Sequence, residues 1–224
     1  MDKIPWIIIG LVWLLNFGIS WWNARTVGLV WVETKQIGGW QRFMTWMGGI
    51  MSASGFTWCL LVVLLIGAYY AQFAFLEPGD PLILTERHIN GGFSLGYLII
   101  IPGVLFSGMM IWIDSLVEAW KRRDLPSIGI AAWNTYAQAH NTYEAFSGFG
   151  NALEGVGDLF SGGGDSDDAK GKLALLGVVI VVGLVILACI GGIFLTVSIV
   201  RHYAATRPAP ESPVGARNLR RHPA

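Results

Sequence analysis

The chain has 224 residues, of which 54% are hydrophobic and 13% are charged, and its formal net charge at pH 7 is zero. Soluble domains carry roughly 25% charged residues, so this composition favours a protein that resides in lipid. Because no net charge draws the chain toward nucleic acid, we expect no nucleic-acid partner.

Residues 1–22 contain the first of four apolar runs that are long enough to cross a bilayer, which takes about 20 helical residues. The run reads IPWIIIGLVWLLNFGISWW from Ile4. No small-residue cleavage site follows it, so we interpret it as an uncleaved signal-anchor helix. Residues 23–46 are predicted to be an interfacial loop, because the Trp and Arg residues of this segment suit the headgroup region. Within it, Val27, Val30, Trp31 and Val32 are suited to extend the first helix along the membrane surface, and Gly38 and Gly39 are predicted to break that helix before the second span.

Residues 47–75 are predicted to form the second transmembrane helix, around the run WCLLVVLLIGAYYAQFAF. The following loop, residues 76–92, contains EPGDP, which is a strong turn signal. His88 lies in this loop and is interpreted as a solvated side chain rather than a metal ligand. Gly92 and Gly96 form a small-residue pair, which predicts close helix contact at the start of the next span.

Residues 93–123 are predicted to form the third transmembrane helix together with a charged extension. Asp114 and Glu118, one helical turn apart, are candidate intramembrane polar residues. Glu118 and Arg122 have the acid-first spacing that favours a helical ion pair. Proton or cation handling at Asp114 is the alternative, but its position at the edge of the apolar run favours structural pairing.

Residues 124–171 are predicted to be an extramembrane amphipathic helical segment followed by a Gly/Asp linker. On a helical wheel, Trp133, Tyr136, His140 and Tyr143 share one face and amide side chains occupy the other. Polar residues interrupt the aromatic face too often for a fifth crossing. Since the face also lacks the Lys and Arg residues of helices that bind anionic lipid, these four residues are candidates for docking on a partner protein.

Two glycines, Gly148 and Gly150, are predicted to divide this segment into two short helices joined by a hinge. The linker that follows, SGGGDSDDAKGK, holds Asp165, Asp167 and Asp168. It lacks the ordered loop and distal glutamate of an EF-hand, so these carboxylates are interpreted as solvated rather than as a calcium site. We expect no metal site and no cofactor.

Residues 172–200 are predicted to form the fourth transmembrane helix, and residues 201–224 a disordered tail rich in Arg and Pro. With four spans, the first and third loops carry eight of the 15 basic residues, and the termini and second loop carry seven. Lys and Arg are enriched in cytoplasmic loops, so this near-equal division leaves the orientation undecided.

The predicted fold is therefore an all-α integral membrane protein with four transmembrane helices and an amphipathic helical segment between the third and fourth. We expect it in the cell (inner) membrane.

No H-E-x-x-H or C-x-x-C motif is present, so we assign no catalytic residue and expect no enzyme. We interpret the chain as a non-catalytic subunit that anchors or scaffolds a larger membrane complex. Its expected partners are membrane lipid and other membrane-protein subunits, or further copies of itself. The alternative is an oligomeric pore-forming or holin-like channel lined by Asn16, Ser52, Ser54, Thr57, Ser107 and Asp114.

Overall fold

The chain folds into a bundle of long helices. The computed structural model describes residues 4–37, 39–77, 79–161 and 168–206. Within these ranges the chain forms five α-helices, one 3-10 turn and no strand, which confirms the all-α prediction. The helices are α1 (Ile4–Ile37), α2 (Gly39–Ala71), α3 (Glu86–Arg122), α4 (Leu125–Ser161) and α5 (Asp168–Thr206), and the 3-10 turn (Gln72–Ala74) follows α2.

Among the described residues, three helical segments are long and apolar enough to cross a membrane: Gly39–Ala74, Glu86–Arg122 and Gly171–Thr206. This supports a membrane protein. α1 is not among the three, so the fourth predicted crossing stays a prediction. Large apolar side chains are exposed along the bundle, as with Leu15 at 64% and Phe194 at 68%, and such a surface is suited to lipid or protein contact.

Successive helices run antiparallel, and α2 occupies the centre, where it contacts α1, α3 and α5. The Ser52 hydroxyl on α2 donates to the carbonyl of Ser20 on α1, with an O···O distance of 2.7 Å. On α5, Gly192 lies against Thr57 of α2. Small residues at these crossings let the helix backbones approach closely.

The predicted glycine pair on α3 packs as expected. Gly92 lies against Leu65 of α2 and Val181 of α5, and Gly96 lies against Leu61 of α2. These contacts border the buried cluster of the bundle, which holds Leu61, Leu65, Leu84, Leu159, Val181, Val185 and Ala188.

The predicted interfacial loop is helical on both sides of the predicted break at Gly38 and Gly39. α1 continues to Ile37 and α2 begins at Gly39, while Gly38 lies outside the described residues. The extension of α1 is supported by packing, because Val27 contacts Gly48 of α2 and Gly28 lies against Val200 of α5. The helix therefore continues past its most apolar run because neighbouring helices cover it.

The connection from α2 to α3 is shorter and better anchored than predicted. The Gln72 side-chain amide donates to the Leu84 carbonyl (N···O 2.7 Å), and the Leu84 N–H donates to the Gln72 side-chain oxygen (2.9 Å). This pair of hydrogen bonds closes the loop, and α3 begins at Glu86.

The prediction that His88 is solvated was wrong. It is 5% exposed, and its two ring nitrogens lie 2.8 Å from the Thr85 hydroxyl and 3.1 Å from the Ala174 carbonyl. Gly177 on α5 leaves room for the ring. His88 therefore joins the start of α3 to α5.

The predicted hinge at Gly148 and Gly150 is absent, because α4 is a single helix of 37 residues. Packing on α3 explains the continuity. Gly148 lies against the ring of Tyr97, and the Tyr97 hydroxyl donates to the Glu144 carbonyl at 3.0 Å. Glycine lowers helix propensity, but here it permits close contact with a neighbour that supports the helix.

Candidate functional site

One face of α4 is built to pack on α3. Ala131, Ala145, Ala152 and Leu159 are at most 5% exposed, and with the half-buried Gln138 they recur at seven-residue spacing. Such a repeat forms a continuous stripe on a helix that packs against another at a shallow angle. This seven-residue repeat, which is mainly alanine, is the sequence signal for the contact with α3. A helical wheel centred on the aromatic residues does not reveal it.

Side-chain contacts fix the register of α4 along α3. Near the start of α3, Leu159 of α4 lies against Gly91. Near its end, the Trp112 indole N–H donates to the Thr135 hydroxyl at 2.8 Å. The two helices therefore run side by side over the stretch of α3 that holds its apolar run.

The four residues predicted to dock on a partner lie on the opposite, exposed side of α4. Trp133, Tyr136 and Tyr143 are 67%, 64% and 70% exposed. The ring of His140 stacks parallel to Tyr136 with centroids 6.1 Å apart, and Trp133 lies 6.0 Å from Tyr136. The structure thus brings Trp133, Tyr136 and His140 into one aromatic group, with Tyr143 on the same side of the helix.

Polar residues continue this side toward the end of α4. Together with Tyr136, His140 and Tyr143 they form a surface that we call the outer face of α4. Its polar members are exposed: Glu144, Ser147, Asn151, Glu154 and Asp158. They recur at three- and four-residue spacing, which places them on one side of a helix. The aromatic part of this face and the position of Glu144 on the same side follow from the sequence, whereas the polar continuation from Ser147 to Asp158 was not predicted.

Asp114 and Glu118 both have partners near the end of α3. The Trp40 indole N–H donates to Asp114 at 2.9 Å. Glu118 forms the ion pair with Arg122 that the spacing predicts. Asp114 thus joins α3 to α2. Its partner, Trp40, was not predicted from the sequence.

Most of the small polar residues suggested as pore-lining lie in helix contacts. Ser52 and Ser107 are fully buried, and Thr57 is 6% exposed. The Ser107 hydroxyl donates to the Gly103 carbonyl of its own helix at 2.6 Å. Asn16 and Ser54 instead border a groove of about 310 Å³ between α1, α2 and α3.

A wider groove opens between α1, α2 and α5. Its volume is about 770 Å³, and its lining is mainly apolar, with Trp46 and Ile193 on its walls and Arg201 toward the end of α5. A groove of this composition is suited to an apolar chain.

Among the described residues, no group of three His, Cys, Asp or Glu side chains is arranged to hold a metal ion. The predicted linker carboxylates Asp165 and Asp167, and the side chain of Asp168, lie outside the described part of the chain. Comparison of the chain with family models, with curated proteins and with solved structures found no match. Function is therefore inferred from the geometry of this chain alone.

Proposed function

We propose that the protein is a non-catalytic subunit of a complex in the cell (inner) membrane, and that it joins its partner through the outer face of α4. The observation that carries this proposal is a polar helix face alongside a membrane-compatible helix. α4 packs chiefly on α3, which leaves that face without cover from the rest of the bundle.

The pairing of α3 with α4 supports a number of crossings different from the four expected. α3 is one of the three helices suited to span a bilayer, and α4 lies beside it from the level of Gly91 to that of Trp112. If α3 crosses, α4 lies at the same depth. We therefore replace the four-span arrangement and its extramembrane segment by five traverses.

A polar face at this depth requires a protein neighbour. Glu144 is exposed and sits beside Tyr97, well inside the paired stretch. A charged residue at the centre of a lone membrane helix costs about 2.5–3.5 kcal/mol on insertion scales. Such residues normally face protein or water, so lipid is an unfavourable neighbour for this face.

The chemistry of the face indicates the partner. Exposed carboxylates and amides accept and donate hydrogen bonds, while Tyr136, His140 and Tyr143 offer rings for packing. A membrane helix that presents hydrogen-bond donors would pair with the carboxylates and amides and pack against the rings. That helix belongs either to another subunit or to a second copy of this chain.

Site-specific photo-cross-linking tests the proposal. A cross-linking residue at Tyr143 is expected to form protein adducts in native membranes, whose mass separates a second copy from another subunit. The matched control is Ile190 on α5, which is 60% exposed and is expected to cross-link to lipid. Adducts with lipid alone at both positions would contradict the proposal.

An oligomeric pore is the second candidate, and the same face favours it. Several copies that turn α4 inward would line a path with Glu144, Ser147 and Asn151. Planar-bilayer recordings distinguish the two functions. A conductance whose ion selectivity changes in Glu144→Gln supports the pore, whereas no conductance together with a cross-linked foreign subunit supports the anchoring function.

A further inference from the structure

Basic side chains are concentrated at one end of the bundle. We name the end at which α1, α3 and α5 finish the basic end, and the end at which α2 and α4 finish the acidic end. Of the eight basic residues with described side chains, six lie at the basic end and two at the acidic end. The six are Arg25, Arg42, Lys121, Arg122, Arg123 and Arg201, and the two are Arg87 and Lys172.

Acidic side chains have the opposite bias. Five of the nine described carboxylates lie at the acidic end, three lie at the basic end, and Glu144 lies between. The five are Glu77, Asp80, Glu86, Glu154 and Asp158, and the three are Asp114, Glu118 and Asp124. With six basic and three acidic described side chains, the basic end has a net charge of +3. With two basic and five acidic described side chains, the acidic end has a net charge of −3.

Three of the described arginines of the basic end lie beside aromatic rings. Arg25 is 5.2 Å from the centroid of Trp22 and 5.5 Å from that of Tyr203. Two further pairs, Arg42 with Trp31 at 5.7 Å and Arg123 with Trp120 at 5.5 Å, have the same geometry. Trp and Tyr are enriched at the membrane–water interface, so these pairs indicate that the charges lie at headgroup depth.

We infer that the chain crosses the membrane five times, with the basic end against an anionic cytoplasmic leaflet and the acidic end on the other side. Lys and Arg flanking the spans are enriched on the cytoplasmic side, where anionic lipid attracts them. The inference rests on the membrane placement of α4 in the proposed function.

In the four-span arrangement, basic residues divide almost equally between the two sides of the membrane, and a traverse by α4 changes this division. In the four-span arrangement, Lys121, Arg122 and Arg123 lie on the side opposite Arg201. In the structure, α4 returns the chain to the acidic end before α5 begins, so Arg201 joins the other three. The sequence after Thr206 contains four more arginines.

Cysteine labelling tests the orientation in the full-length chain. Single cysteines are placed at Glu77, Leu125 and Ser161, all exposed, in a background with Cys59→Ala and Cys189→Ala. A membrane-impermeant maleimide is expected to label Glu77→Cys and Ser161→Cys in cells with an intact plasma membrane. Leu125→Cys is expected to react at least tenfold less until the membrane is permeabilised.

The labelling pattern separates the two proposals. Leu125→Cys and Ser161→Cys on the same side would overturn both the traverse of α4 and this orientation. If the two positions lie on opposite sides but Leu125→Cys is the one labelled from outside, the traverse of α4 stands and only the orientation is overturned. Cross-linking at Tyr143 reports independently on the partner surface. If the cysteine-free background does not fold, labelling is replaced by protease protection of N- and C-terminal tags on the unmutated chain. Five traverses place the two tags on opposite sides of the membrane.

A charge variant tests whether the basic end sets the orientation. The triple change Lys121→Glu, Arg122→Glu and Arg123→Glu is expected to give a mixed population in which a measurable fraction is inverted. Lys172→Glu at the acidic end is the matched control and is expected to leave the orientation unchanged. Complete retention of the original orientation in the triple variant would show that these charges do not determine it.

Discussion

Close backbone approach at single glycines holds α5 against α2. A Cβ atom at Gly192 would lie 2.7 Å from the Thr57 amide nitrogen and 2.8 Å from the Ala53 carbonyl oxygen. Both are backbone atoms and cannot move aside as a flexible side chain can. Gly183, on the same helix, faces open space.

Gly192→Ala is therefore expected to destabilise the protein by about 1–3 kcal/mol, the usual cost of overpacking. Gly183→Ala should be neutral or slightly stabilising, because alanine favours the helix by about 1 kcal/mol where no clash occurs. Thermal unfolding in mild detergent measures both. Equal melting temperatures for the two variants would count against the contact.

His88 offers a second test at this scale, with His140 as its control. Truncation in His88→Ala leaves the Ala174 carbonyl without its histidine partner, so we expect a loss of about 1–3 kcal/mol. His140 is exposed, and His140→Ala should change stability by less than about 0.5 kcal/mol. A similar shift in both melting temperatures would contradict the structural role of His88.

Residue pairs were predictable where the partners are close in sequence. The Glu118–Arg122 pair follows from helical spacing alone. His88 was mispredicted because its burial depends on Ala174, 86 positions away. The Trp40–Asp114 hydrogen bond likewise joins residues 74 positions apart. Neither partner is visible in a local pattern.

At the scale of elements, the start of α4 has its own capping interaction. The Asp124 carboxylate accepts a hydrogen bond from the Ser127 N–H at 2.8 Å. This bond lowers the pKa of Asp124 below its ordinary value of 3.8, since it stabilises the charged form. Asp124 lies in the turn between α3 and α4, outside the apolar spans.

A lowered pKa in the folded state fixes the direction of the pH effect. The ionised cap contributes stability above about pH 3.8, and the contribution is lost as the pH falls through the lowered pKa. Asp124→Ala is expected to melt below the unmutated protein near neutral pH, and the difference should shrink below about pH 4.

Asp124→Asn keeps the capping oxygen and should melt close to the unmutated protein near neutral pH. Melting temperatures measured across this pH range test the cap. An Asp124→Ala difference that grows on acidification would contradict it.

Helices were easier to predict than their ends. The apolar runs predicted most of α2, α3 and α5, because a run of about 20 such residues suits a spanning helix. The hinge in α4 was wrong because Gly148, which weakens an isolated helix, packs against Tyr97 of α3. The loop after α1 was wrong because Val27 and Gly28 contact α2 and α5, and no local pattern reveals such neighbours.

At the scale of the whole molecule, the helices differ in how well they are held. α2 contacts three other helices, whereas α4 packs chiefly on α3. Local opening is easiest where few buried contacts must be broken. In detergent, backbone amides of α4 are therefore expected to exchange hydrogen faster than those of α2. Equal protection of the two helices would contradict this order.

The arrangement of the helices was the least predictable feature. The outer face of α4 was foreseen in its aromatic half, since Tyr136, His140 and Tyr143 share a face by spacing. The packing of α4 on α3 was not foreseen, because the stripe from Ala131 to Leu159 that pairs the two helices was not recognised in the sequence. Polarity alone argued against a crossing by α4, and the crossing that we propose rests on this pairing.

The stripe of α4 from Ala131 to Leu159 that packs on α3 also has a consequence for biosynthesis. On the five-traverse topology, α4 is too polar to leave the translocon for lipid by itself, whereas α3 is not. The two helices would then enter the bilayer together as a hairpin, with α3 offering the contact that α4 needs. Substitutions along the stripe would therefore act during synthesis, before the finished bundle exists, and would appear as chains that fail to insert.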